Sequence, residues 1–72
     1  MITLKMTPDD YYDPETDEYV LFAGTSVTCL QTDVRIKDLD GEILECYLTN
    51  VELIEATERG RRDVYKIRYK VY

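Results

Sequence analysis

The sequence predicts an all-β fold, a small antiparallel sheet of five to six strands rolled into a barrel or sandwich. Three observations carry the prediction. Tyr65, Ile67, Tyr69 and Val71 alternate without a break with Lys66, Arg68 and Lys70, the period-two pattern of a half-buried strand. Val, Ile, Thr and Tyr dominate the other runs between turn signals, and such residues favour a pleated surface. Asp40-Gly41 stands between two of these runs, a strong hairpin signal because glycine accepts a positive φ. The 72 residues suffice for one domain with one modest core, since domains rarely fall below about 50 residues and bury roughly 60% of their surface at this size.

The elements follow in chain order. Ile2-Thr3-Leu4-Lys5-Met6 alternates apolar and polar and reads as a half-buried strand that Pro8 ends. Residues 9–18, DDYYDPETDE, hold two acidic pairs, a proline and no apolar period, and read as a loop. Tyr19-Val20-Leu21-Phe22-Ala23 is a continuous apolar run that fits a strand buried on both faces, and Gly24 and Ser26 mark a turn. Residues 27–37 have strand composition, with a break or bulge at Thr32-Asp33. Val34 and Ile36 share one face there, and Arg35 and Lys37 the other. After the 38–41 turn, Leu44, Cys46 and Leu48 again share a face. Residues 49–59 fit two readings. Thr49-Asn50-Val51-Glu52 matches a helix capping box with Gly60 as its C-terminal stop, whereas Val51 and Leu53 alternate with Asn50 and Glu52 as in a strand. The 65–71 strand wants an antiparallel neighbour, which favours the strand reading. It sets Glu52 and Glu55 to face Lys66, Arg68 or Lys70. The expected core is Ile2, Leu4, Val20, Phe22, Val34, Ile36, Leu44, Cys46, Leu48, Val51, Leu53, Tyr65, Ile67, Tyr69 and Val71. The 65–71 strand is expected at a sheet edge, guarded by its lysines and arginine or paired with a second copy as a homodimer.

Composition excludes several classes. Apolar residues make up 44% of the chain, too many for a disordered segment. No apolar run approaches the ~20 residues of a membrane span, and MITLKMTPDD does not read as a secretory signal, so the cytoplasm is expected, that of the host cell if the protein is viral. There is no histidine, hence no ordinary general base near neutral pH. Ser26 has no G-x-S-x-G around it, and no phosphate-binding glycine loop is present. A non-enzymatic protein without cofactor is expected. Cys29 and Cys46 lack zinc-ligand spacing and read as reduced, buried small apolar residues, with a bridge between them as the sharper alternative. Asp13, Glu15 and Asp17 open like an EF-hand loop, but Glu18 and Gly24 stand where glycine and glutamate are needed, so no metal site is expected.

Charge is unevenly spread. The chain has net charge −6; fourteen acidic and three basic residues precede Arg59, and six basic residues and Asp63 follow from it. The plain reading is mutual neutralisation across the sheet. A sharper one concerns Asp9, Asp10, Tyr11, Tyr12, Asp13, Glu15, Asp17, Glu18 and Tyr19. Crowded carboxylates gain from a cationic partner, and tyrosines supply contact area at low entropy cost. Such a segment suits a basic groove made for nucleic acid, as against a solvated loop whose tyrosines cover the core. An alternative nucleic-acid face is Arg59, Arg61, Arg62, Lys66, Arg68 and Lys70 with Tyr65, Tyr69 and Tyr72. Alternation turns Tyr65 and Tyr69 away from the basic set, and the net charge opposes a polyanion.

Residues 34–42, followed by a strand, resemble the second and third strands of Sm-like barrels, and Arg59-Gly60 is similar in type to that family's second motif. The likeness covers less than half of the chain. Glu45 and Cys46 stand where the family has a glycine, and no N-terminal helix is apparent, so no RNA-binding residue is carried over and no family is assigned. The expectation is a small acidic protein-binding module without membrane association, an inhibitor of the kind viruses of bacteria encode, which mimics nucleic acid on a host protein. A self-associating assembly subunit is the runner-up, and nucleic-acid binding the third reading.

Overall fold

A computed structural model describes residues 1–24, 31–56 and 63–72. They form six strands: β1 (Ile2–Lys5), β2 (Tyr11–Asp13), β3 (Glu18–Ala23), β4 (Asp33–Lys37), β5 (Ile43–Glu55) and β6 (Val64–Val71). One sheet holds them all in the order β1-β4-β5-β6-β3-β2, curled into a half-barrel. The all-β class is as the sequence predicts. The sheet is mixed rather than purely antiparallel, because β1 runs parallel to β4, with Ile2 beside Val34 and Leu4 beside Ile36. Residues 6–10 then lead from the β1 edge to β2 at the opposite edge, beginning with a Met6 N–H to Lys37 carbonyl bond of 2.9 Å.

Period-two alternation sorts the side chains. The concave face carries the core cluster of Met6, Leu21, Val34, Ile36, Cys46, Ile67 and Tyr69, with Leu4, Tyr19, Ala23, Leu44, Leu48, Tyr65 and Val71 packed against it. Cys46 is fully buried, with its thiol 3.6 Å from the Leu44 carbonyl, and burial pushes that thiol up to about 11. Cys29 lies outside the described residues.

Several expectations are corrected. The 9–18 segment is not all loop: it contains β2 and the turn into β3, paired Tyr11 to Val20 and Asp13 to Glu18. In β3 the core side is Tyr19, Leu21 and Ala23. Val20 is fully buried as expected, but on the other face, between Tyr11 and Arg68 in the register, so the middle of β3 is buried on both faces as its apolar run predicts; Phe22 packs there with its ring 6.2 Å from Tyr11. An all-apolar run gives no sign of which face turns inward. Ile2, Val51 and Leu53 are exposed rather than core. Residues 50–55 are strand, so the helix is absent over that stretch; residues 57–59 lie outside the described residues. β4 starts at Asp33, at the expected break. Finally, β6 is no edge: it lies between β5 and β3, so its lysines guard no free edge.

Candidate functional site

The acidic segment folds as a hairpin whose tip is built from its own side chains. Pro14 follows Asp13, and the Asp13 carboxylate accepts the Glu15 N–H at 3.0 Å, an Asx turn. Asp17 takes the left-handed conformation, φ 58°, which aspartate tolerates better than most residues. The Tyr12 hydroxyl donates to the Asp17 carboxylate, and that bond holds the Tyr12 phenol above its ordinary value. The Tyr12 and Tyr19 rings pack at 5.1 Å with their planes tilted by 57°, within the range of favourable aromatic pairs.

Arg68 on central β6 fastens this hairpin to the sheet. Its guanidinium lies 3.0 Å from the Asp13 carboxylate, 3.5 Å from Glu18 and 3.4 Å from the Thr16 hydroxyl. The Arg68 hydrogen bond holds the Asp13 carboxyl below its usual range. Glu18 is likewise lowered, first by the Thr49 hydroxyl that donates to it and also by Thr16 and Arg68. Asp10 is buried and plays another part. Its carboxylate accepts the Thr7 N–H at 2.8 Å, the Thr7 hydroxyl at 3.2 Å and the Phe22 N–H at 2.9 Å. It thereby closes the 7–10 turn and extends the β3 edge beyond β2. Of the nine residues singled out, Asp10 is thus internal structure, and Asp13 and Glu18 are engaged by Arg68. Asp9, Tyr11, Tyr12, Glu15 and Asp17 remain exposed, with Tyr19 half-buried beneath Tyr12.

The topology adds residues that the linear reading did not join to this segment. β3 and β5 are both antiparallel to β6, so both begin at the same end of the sheet, where β1 and β4 finish. The β4–β5 turn therefore lies at the same end as the β2–β3 tip. It too is acidic: the Asp38 carboxylate accepts the Asp40 and Glu42 N–H groups at 3.0 and 2.9 Å, and Gly41 has φ 87°. Charge from both turns reaches the Tyr19 phenol. Burial raises the Tyr19 phenol, and the charges of Asp38, Glu42 and Asp17 raise it further. The missed residues are Asp38, Asp40 and Glu42; their acidity was visible in the sequence, and their neighbourhood needed the strand order.

The charge falls into two sets. The strands carry Lys5, Arg35, Lys37, Lys66, Arg68 and Lys70 against Asp13, Glu18, Asp33, Glu45, Glu52 and Glu55, six of each sign. Arg35 opposes Glu45, Lys66 opposes Glu52 and Lys70 opposes Glu18 in the register. The whole excess of −6 thus lies outside these strands. Asp9, Asp10, Glu15, Asp17, Asp38, Asp40 and Glu42 sit in connections with no basic residue.

The alternative basic face is divided. Lys66, Arg68 and Lys70 lie on the outer face of β6, with Arg68 already paired. Tyr69 is fully buried, and Tyr65 packs against the core. Tyr72 packs on Tyr47 at 5.0 Å and donates its hydroxyl to Asp33. Arg59, Arg61 and Arg62 lie outside the described residues. No helix among the described residues is long and apolar enough to cross a membrane. No family model, no curated protein and no solved structure matches this chain.

Proposed function

We propose that this protein is a non-enzymatic binding module whose acidic pole docks on a basic, nucleic-acid-handling surface of another protein, in the manner of a small inhibitor that stands in for nucleic acid. The observation that carries the reading is the segregation of charge: balanced strands, and carboxylates gathered at one end from two separate turns. Tyr12 stands beside the first of these turns, bonded to Asp17, with 43% of its surface exposed, a rigid ring for contact. Carboxylates fixed by turns and by Tyr12 lose little freedom on docking, and a field of one sign steers a cationic partner and makes capture salt-sensitive.

The test compares wild-type bait with the quadruple variant Glu15→Gln, Asp17→Asn, Asp40→Asn, Glu42→Gln in a lysate pull-down. The variant spares Asp10 and Asp13, which hold the fold. A basic protein retained at low salt, released at high salt, competed by DNA and lost by the variant supports the reading. Equal retention by the variant overturns it.

A further inference from the structure

Asp40-Gly41 is the one place in the sequence where an aspartate or asparagine precedes a glycine. It stands at the tip of the β4–β5 hairpin, where every residue from Leu39 to Ile43 is exposed. Glycine carries no Cβ to shield its amide nitrogen, and a Cβ built at Gly41 would meet nothing within 4 Å. Sterically, the Asp40 carboxyl and water are both free to reach that nitrogen.

Hydrogen bonding is what guards it, and every bond involves Asp38. The Gly41 N–H is donated to the Asp38 carbonyl at 3.1 Å. The Asp38 carboxylate accepts the N–H groups on either side, from Asp40 at 3.0 Å and from Glu42 at 2.9 Å. The Asp38 N–H returns to the Glu42 carbonyl at 2.9 Å. These bonds fix the turn with Gly41 at φ 87°.

We propose that Asp40 is a site of spontaneous modification, isomerising to isoaspartate at a pace set by Asp38. The Gly41 nitrogen bonds to Cγ of the Asp40 carboxylic acid, and the N–H proton and the acid hydroxyl leave as water. A five-membered imide results. Water then adds at the former Asp40 backbone carbonyl, and the bond from that carbon to the nitrogen breaks. The chain now runs through the side chain, and the charge sits on the α-carboxylate. One water leaves and one returns, so no oxidant or cofactor is needed and the mass is unchanged. The nitrogen cannot attack while Asp38 holds its proton and its neighbours, so the reaction runs from the locally opened turn. The product has one more backbone atom between Asp40 and Gly41. The longer path does not fit the four Asp38 bonds, so a modified tip stays loosened.

Wild type, Asp38→Asn, Asp38→Ala and a free peptide of residues 36–44 are incubated at neutral pH and physiological temperature over several half-lives of the peptide's own conversion. Isoaspartate is measured by enzymatic methylation of its carboxylate and located by fragment mass spectrometry. Wild type is expected to accumulate it at residue 40, several-fold more slowly than the peptide. Asp38→Asn keeps an acceptor oxygen for both N–H groups and is expected to follow wild type. Asp38→Ala is expected to approach the peptide while keeping the circular dichroism of the sheet; if it loses the sheet, Asp38→Asn and the peptide decide. Conversion of wild type as fast as the peptide, no conversion at residue 40, or equal rates in wild type and folded Asp38→Ala overturns the proposal. The reaction needs no partner, so it stands apart from docking of the acidic pole. An asparagine at this position forms the same ring faster, with ammonia leaving, so the quadruple bait is used freshly prepared.

Discussion

Asp10 and Tyr69 are both buried polar side chains in opposite hydrogen-bonding states. Asp10 is surrounded by donors, whereas the Tyr69 hydroxyl finds no partner among the described residues; burial also raises its phenol. A buried group loses its water on folding, so a satisfied one contributes and an orphan costs. Asp10→Ala strands the Phe22 N–H and frees the 7–10 turn, and is expected to cost about 3 kcal/mol in urea unfolding. Tyr69→Phe removes only the orphan oxygen and is expected to leave stability within about 1 kcal/mol of wild type, or to raise it. An opposite ranking of the two variants would mean that the hydroxyl has a partner, such as a buried water.

Ion pairs from Arg68 add to the β3–β6 ladder in holding the β2–β3 hairpin on the sheet, so part of its attachment is tied to pH. Asp13 and Glu18 have carboxyl groups lowered in the folded protein. A lowered folded value means that the contribution is present at neutral pH and is lost as pH falls through that value. Arg68→Met keeps an apolar stem beside Val20 and removes the charge. It is expected to melt below wild type at pH 7, with the gap closing on acidification below about pH 4 as the two carboxylates protonate. A gap independent of pH would assign Arg68 to packing alone. The partnership between Arg68 and this hairpin was not legible beforehand, because β2 was hidden in a segment that reads as loop. Three residues with no apolar period give no strand signal. Their pairing follows from the turn that Asp13 and Asp17 make, and from Asp10 holding the chain beside Phe22.

Across the whole molecule, local rules predicted what local geometry decides. The Asp40-Gly41 turn, the alternation in β6, and the inward faces of Val34 and Ile36 and of Leu44 and Cys46 follow from period and turn chemistry, and each is found. Strand order and edges depend on distant partners, so the sequence placed β6 at an edge where it is central, and buried Val51 and Leu53 where they are exposed. The candidate site divides likewise. Its first turn was visible as a run of acids and tyrosines; the second joined it only through the shared direction of β3 and β5.

The parallel pairing of β1 with β4 also bears on the order in which the chain assembles. The β4–β5 and β5–β6 hairpins close over short connections. The ladder that joins Ile2 to Val34 must wait for the intervening chain to return, and closing a longer loop has the larger entropy cost. β1, which among the described residues pairs with β4 alone, then docks after those hairpins, as does β3, whose ladder to β6 spans a still longer stretch of chain. A Leu4→Ala variant is expected to unfold several-fold faster in stopped-flow experiments while refolding at nearly the wild-type rate. The N-terminal strand thus acts on the lifetime of the folded state, while the two hairpins set the speed of reaching it.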